Sequence, residues 1–251
     1  MMKRRRLYER AAAVIFALLL WQAASMILGQ QLLLVSPVRV LLRLGALWLE
    51  PGFWQTLWFS FLRIEGGFFL GLFLGALLAV ISSRSHLIET LLWPFLVAVK
   101  SVPVASFIII SLIWLSASGL SVFISFLMVF PIVYFNVLQG MKSTDGRMLQ
   151  MAEIFQMPWR RQLFYIYLPQ VRPFLFSACS TALGISWKAG IAAEVIGIPD
   201  GSIGERLYEA KVYLSTADLF AWTIVIVLLS VLFEKVFMKF MKWGFARLEK
   251  L

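Results

Sequence analysis

Few residues in this chain have types that could do chemistry, and their spacing argues against bond-making. His86 is the only histidine and Cys179 the only cysteine. One thiol closes no disulfide and builds no cysteine-based metal site within one chain. Cys179 lies in an apolar run and reads as a small lipid- or core-facing residue. His86, in "SSRSHL", reads as a solvated residue at a membrane edge. Hydrolysis inside a membrane needs a nucleophile with a base, or a metal with several ligands. Ser180 has no evident base. Ser186 and Lys188 are two residues apart, and positions i and i+2 of a helix do not face each other. No G-x-x-x-x-G-K-[ST] phosphate loop is present. No catalytic residue, metal or cofactor is expected, and any energy source must be another chain.

Two lysines remain, Lys100 and Lys188, each inside an apolar run. A charge in hydrocarbon costs a few kcal/mol or more, so an intramembrane lysine is a functional candidate. Two of them suit a translocation path for an anion. The alternative is that each snorkels to the interface or pairs with a carboxylate such as Glu194 or Glu89. Ser186, Trp187 and Glu194 neighbour Lys188 as further lining candidates, and Pro103 follows Lys100 closely enough to mark a helix break beside it.

The elements that must position these residues are membrane spans. The chain has 251 residues, 61% of them hydrophobic, and a net charge of +10; its mean hydropathy is +0.86. Soluble domains are nearer half apolar. A basic excess on so oily a chain fits a polytopic membrane protein with its positive residues on one side. Nucleic-acid binding is set aside, because no soluble basic domain is left once the apolar runs are removed.

Spans need roughly 20 apolar residues. Six are expected, over about 11–28, 64–83, 87–117, 119–140, 172–197 and 217–240. The first follows "MMKRRRLYER"; its 18 apolar residues exceed the ~7–15 of a signal peptide, so it reads as an uncleaved span. With both termini cytoplasmic, sixteen Lys and Arg fall on inner segments and five on outer ones. That asymmetry sets the orientation. Gly67, Gly71 and Gly75 share a face of the second span and invite close packing. Pro94 and Pro103 are expected to interrupt the third. Pro131 and Asn136 suggest a kink with a polar patch in the fourth. Outside, Ile203 to Tyr213 is expected to form a short amphipathic helix, and "FWQTLWFSFLRIEGGF" an amphipathic lead into the second span.

The largest inner loop, 141–171, contains "GRMLQMAEIFQMPWRRQLFYIYLPQ". Asp145 is the expected N-cap of a helix over 145–157. Met148, Met151, Ala152 and Phe155 recur at i, i+3, i+4 and i+7, one apolar stripe. Pro158 ends this helix or begins another. Such an element either rests on anionic lipid or inserts into a groove on a cytoplasmic partner. The small Ala152 at the centre of the stripe would let that partner approach.

The chain resembles the permease subunit of binding-protein-dependent bacterial ABC importers. That family carries a cytoplasmic Glu-Ala-Ala, three residues, Gly, nine residues, then Ile-x-Leu-Pro. Gln150, Met151 and Ala152 stand in the first three places, Gln156 in the glycine place, and Ile166, Leu168 and Pro169 at the end. Ala152, Ile166, Leu168 and Pro169 match; the glutamate, first alanine and glycine are replaced. "SVPVASFIIISLIWLSASG" is similar to the family's third span. "ISWKAGIAAEVIG" with "GSIGERLYEA" is similar to the fifth span and outer loop of its nitrate/sulfonate/taurine subgroup. The resemblance implies an all-α type I permease fold in one transmembrane domain, in the bacterial inner membrane, among membrane lipid. It implies a cytoplasmic ATP-binding subunit, an extracytoplasmic substrate-binding protein and a second permease copy, a homodimer in the simplest case. It makes Asp145, Met148, Gln150, Met151, Ala152, Phe155, Gln156, Ile166, Leu168 and Pro169 the ATPase-docking residues. The solute would be small and anionic or heterocyclic. The alternative is a secondary transporter or channel without an ATPase.

Overall fold

The computed structural model describes residues 2–30 and 34–248. Among them there is no strand. Lys250, counted with the inner charges, and residues 31–33 of the expected outer segment lie outside the described residues.

Helix α1 (Met2–Leu28) runs at the periphery. Helix α2 (Pro37–Leu47) starts where the Ser36 side chain accepts from the Arg39 amide and Pro37 occupies the first turn. A helix start tolerates proline there, because that amide would have no partner anyway. Helix α3 (Phe53–Ser82) has 30 residues. At roughly 1.5 Å per residue it reaches about 45 Å, enough for a bilayer with its headgroups. The expected lead into the second span is therefore the first half of one continuous helix.

The third expected span is two helices, α4 (His86–Ser101) and α5 (Val104–Ser111), bent by 104°. The break is at Pro103 alone. Val102 holds an extended backbone (φ −80°, ψ 134°), which proline imposes on the residue before it. Pro94 lies inside α4 without ending it, contrary to expectation. Helix α6 (Ala117–Lys142) stays one helix through Pro131, and Asn136 forms no polar patch. Its side chain donates to the Ile132 carbonyl of its own helix at 2.8 Å.

Helix α7 (Gly146–Ile154) and the short α8 (Trp159–Gln162) fill the loop. A π-helical turn, Leu163–Tyr167, leads into α9 (Leu168–Gly197). Pro169 cannot donate to the turn before it and its ring crowds a carbonyl there, which favours the wider π spacing. Helix α10 (Ile203–Val212) matches the expected amphipathic segment, and α11 (Thr216–Leu248) closes the chain.

The core is built on α3, α6 and α9, the most extensively packed pairs being α3 with α6 and α6 with α9. The three glycines of α3 make the first pair possible. A Cβ at Gly67 would come within 2.7 Å of Ser125 Cβ, at Gly71 within 2.8 Å of Val129, and at Gly75 within 2.9 Å of the Phe130 carbonyl. Close backbones gain dispersion that lipid-solvated helices otherwise lack. Helix α11 packs on this core through Phe233 and Phe237 against Phe68, Phe69 and Phe61.

Three helices are long and apolar enough to cross a membrane, α3, α6 and α11, or four with α4–α5 taken as one broken span. Helix α9 is not among them, because it carries small and polar residues along its length. The apolar part of α1, Ala12–Leu28, is shorter than the others.

Candidate functional site

The loop helix α7 begins as expected, with the Asp145 carboxylate accepting from the Arg147 amide at 2.9 Å. It ends one turn earlier than expected, in a Schellman motif. The Met157 amide donates to the Ala152 carbonyl at 2.8 Å and the Gln156 amide to Glu153 at 2.9 Å. This motif needs a left-handed residue, usually glycine. Gln156 supplies it with φ 48°, so the turn survives the replacement of the glycine.

The apolar stripe splits. Ala152 is 2% exposed and packs into the chain itself, so it is not the surface a partner would approach. Met148 (42%), Met151 (54%) and Phe155 (75%) point outward, and Gln150 and Gln156 are exposed beside them. Ile154, 80% exposed, joins them and was not foreseen. Its place three residues after Met151 and one before Phe155 would have revealed it, had the stripe not been centred on Ala152. The loop is braced from behind. Arg84 lies over the Trp159 ring at 4.3 Å, Trp159 packs on Tyr167 at 5.1 Å, and the Gln162 side chain donates to the Met157 carbonyl at 2.7 Å. Ile166 is buried, and Leu168 and Pro169 start α9.

The six residues grouped with the lysines separate into two sets. Lys100, Pro103 and Lys188 are exposed. Lys100 Nζ lies 4.8 Å from the Phe135 ring centre. Glu89 is paired with Lys142 at 2.6 Å and Glu194 with Ser60, so neither named carboxylate neutralises these lysines. Ser186, Trp187 and Glu194 are buried inside the chain. Ser186 bonds back to the Leu183 carbonyl and its own carbonyl accepts from Ser125. Trp187 Nε1 donates to Glu65 Oε1 at 2.7 Å. His86 is an exposed first residue of α4.

Lys188 belongs to a longer face of α9. Pro173, Ser177 and Thr181 are exposed along it, and a Cβ built on Gly184 meets nothing within 4 Å. Steps of three and four residues put these on one side of the helix. The face is small and polar, unlike the exposed leucines and valines of α11.

A second polar region joins α2, α10 and α11 around a cavity of about 220 Å³. Arg43 of α2 reaches both Glu50 (2.5 Å) and Asp218. Burial works to lower the Arg43 pKa, but the hydrogen bonds and charges of Glu50 and Asp218 outweigh it and raise it. Ser215 donates to Asp218 at 2.5 Å, and Arg206 pairs with Glu209 at 3.1 Å on the cavity wall.

The sequence reading missed the partners of Glu194: Ser60 lies 134 residues away in the chain, beyond any spacing rule. Among the described residues no group of three or more His, Cys, Asp or Glu could hold a metal.

Comparison with known proteins adds a family. The family model for the binding-protein-dependent transport system inner membrane component matches residues 68–250. The putative aliphatic sulfonates transport permease protein SsuC of Bacillus subtilis is 27% identical over 194 residues, covering 76% of this chain and 70% of that protein. The taurine transport system permease protein TauC of Escherichia coli is 26% identical over 220 residues, 85% of this chain and 80% of its own. The formylaminopyrimidine transport permease protein ThiX of Halalkalibacterium halodurans is 28% identical over 204 residues, 78% of this chain and 80% of its own.

Proposed function

The chain belongs to the family of binding-protein-dependent transport system inner membrane components, and from that membership we propose that it forms half of a small-solute path and couples it to a separate ATPase. Its six spans are α1, α3, the bent α4–α5, α6, α9 and α11, with both termini and α7 in the cytoplasm. The asymmetry of sixteen inner against five outer positive residues supports this orientation.

The observation that carries the coupling is the outward apolar face of α7, formed by Met148, Met151, Ile154 and Phe155. Lipid would accept such a face, but so would a cleft on a soluble subunit, and the bracing behind it favours the cleft. Ala152 and the Schellman turn fix α7 to the chain, and the π turn ties the loop to α9. Ile166, Leu168 and Pro169 serve the docking from that side, as the junction that moves with α7. An ATPase can drive the permease only by contacting its two states differently. A rigid α7 joined to α6 and α9 transmits that difference.

A second copy of the chain completes the path along the polar face of α9. Lys100, Pro103 and Lys188 present exposed surface to it, while Ser186, Trp187 and Glu194 hold its wall from behind. Two unpaired lysines favour an anion. Relatives whose names specify sulfonates, nitrate and bicarbonate agree with an anionic solute, one named for taurine with a zwitterion that carries a sulfonate, and one named for formylaminopyrimidine with a heterocyclic one. An extracytoplasmic binding protein would deliver it.

The test is a mild-detergent pull-down of the tagged chain from its native membrane. An ATP-binding subunit is expected with the wild type and is lost when Ile154 and Phe155 are both changed to Asp. If the folded wild type brings down no ATPase, the reading fails and a secondary transporter replaces it.

A further inference from the structure

Glu194 is a buried polar group at a junction of three helices, α3, α9 and α10. Glu194 sits one turn before the end of α9, fully buried. Ser60 of α3 donates its hydroxyl to Glu194 Oε2 at 2.6 Å. The same Ser60 oxygen accepts from the Ile203 amide at 2.9 Å, and Glu194 Oε2 accepts from the Gly204 amide at 3.3 Å. Ile203 and Gly204 are the first two residues of α10. Glu194 and Ser60 thus each satisfy one of the amides that a helix start leaves unbonded.

The packing is as specific as the hydrogen bonds. A Cβ on Gly204 would come within 3 Å of Glu194 Cβ and of the α9 backbone. Only glycine lets the start of α10 lie on α9 here. The start of α10 is buried through Ser202 and Ile203, whereas Val212, Tyr213 and Leu214 at its other end are exposed. Helix α10 is therefore clamped at its start, while its other end packs on α11 through Ala210 and leaves Val212, Tyr213 and Leu214 open to a partner. Its clamp is six residues from Lys188 on α9, with Trp187 and its Glu65 bond between α9 and α3 on the same side. A buried polar group is a costly way merely to hold helices together, since apolar packing of equal volume often serves as well or better. What its hydrogen bonds add is a fixed direction.

We infer that Glu194 is the positioning residue through which α10 moves α9: a partner pressing the open end of α10 outside the membrane displaces the path face of α9 through the Glu194–Ser60–Gly204 clamp. This rests on the importer reading above. The partner is the external binding protein, and the consequence is its stimulation of ATP hydrolysis.

The experiment uses the complex of permease and co-purified ATPase in lipid vesicles, with and without the binding protein encoded for the same system. Glu194→Leu keeps the volume and removes the clamp. It is expected to leave ATPase co-purification intact and to lower the stimulated-to-basal ratio at least five-fold. Glu194→Gln keeps an accepting oxygen and should retain most of the ratio. Ser60→Ala, a loss of one hydroxyl, should lower it as well and carries the test if Glu194→Leu fails to assemble. In parallel, hydrogen exchange at the Ile203 and Gly204 amides is measured on the chain alone and should speed up at least ten-fold in Glu194→Leu and Ser60→Ala. Wild-type stimulation in an assembled Glu194→Leu or Ser60→Ala complex overturns the inference, and so does unchanged exchange at both amides. Absence of any ATPase from the wild-type preparation instead overturns the importer reading, and the exchange measurement then decides the clamp by itself.

Discussion

Gln156 carries a backbone angle, φ 48°, that a residue with a Cβ adopts at a cost of about 1–2 kcal/mol. Glycine would remove that strain but lose about 0.5–1 kcal/mol in chain entropy. Gln156→Gly is therefore expected to stabilise the loop by roughly 0.5–1 kcal/mol, read as a higher unfolding temperature in detergent; a lower one contradicts the assignment of the turn. Lys188 tests a different residue-scale claim. A charge about 8–12 Å from a passing anion, at an effective dielectric near 20, contributes about 1.4–2 kcal/mol. Lys188→Met should lower uptake of an anionic solute roughly ten- to thirty-fold, measured in vesicles with the complete system. Unchanged uptake removes Lys188 from the path. Neither residue could be judged from its type alone: Gln156 stands where a glycine is expected and still makes the turn, and Lys188 gains meaning only because Glu194, the nearest carboxylate on its own helix, is engaged with Ser60.

At the scale of elements, α3 and α6 meet along glycines whose spacing was legible, although the identity of the facing helix was not. Gly71→Leu would push a side chain into Val129. Overpacking of this kind costs about 1–3 kcal/mol, so a lower yield of folded protein and a lower melting temperature are expected; Gly66→Leu, where a Cβ meets nothing, is the matched control. The loop helix α7 separates two roles that its sequence merged. Ile154→Asp alters the outward face and should weaken recovery of the ATPase on the order of ten-fold while the permease stays folded. Ala152→Asp buries an unpaired charge and should unfold the loop or the chain first. If both changes acted alike on a well-folded permease, the division of the stripe would be wrong. The third expected span shows the opposite case. Two prolines looked equivalent, but only Pro103 breaks the helix, because α4 accommodates Pro94 in its interior while Val102 is held extended.

For the whole molecule, the arrangement of spans decides which exposed surface is lipid and which is wet. Thr181 on α9 and Val227 on α11 are both exposed in the single chain. In a Cys179→Ala background, Thr181→Cys should react quickly with a small hydrophilic thiol reagent, because a thiol ionises only where water reaches it. Val227→Cys should react at least ten times more slowly. Equal rates would place the α9 face in lipid and remove the path from it. This difference could not be read from the fifth apolar run itself. Its serines, threonine and lysine are spread along the chain, and only the helix and its neighbours show that some are buried and others form one face.

The sequence by itself determined the class: an oily, basic chain with apolar runs of membrane length, a proline-marked break, glycines at fourfold spacing, a capped loop helix and no residues for covalent chemistry. These are local properties, set by composition and by periods of three to four residues, and helices fall on each of them, although α1, α3 and α11 run well past the apolar runs. Only the tertiary structure decided that Ala152 faces inward, that Ile154 faces outward, that α10 is clamped by Glu194, and that Lys188 stands apart from the buried Ser186 and Trp187. Each of those depends on a partner far away in the chain, and burial of one helix face by another has no counterpart in the spacing of either.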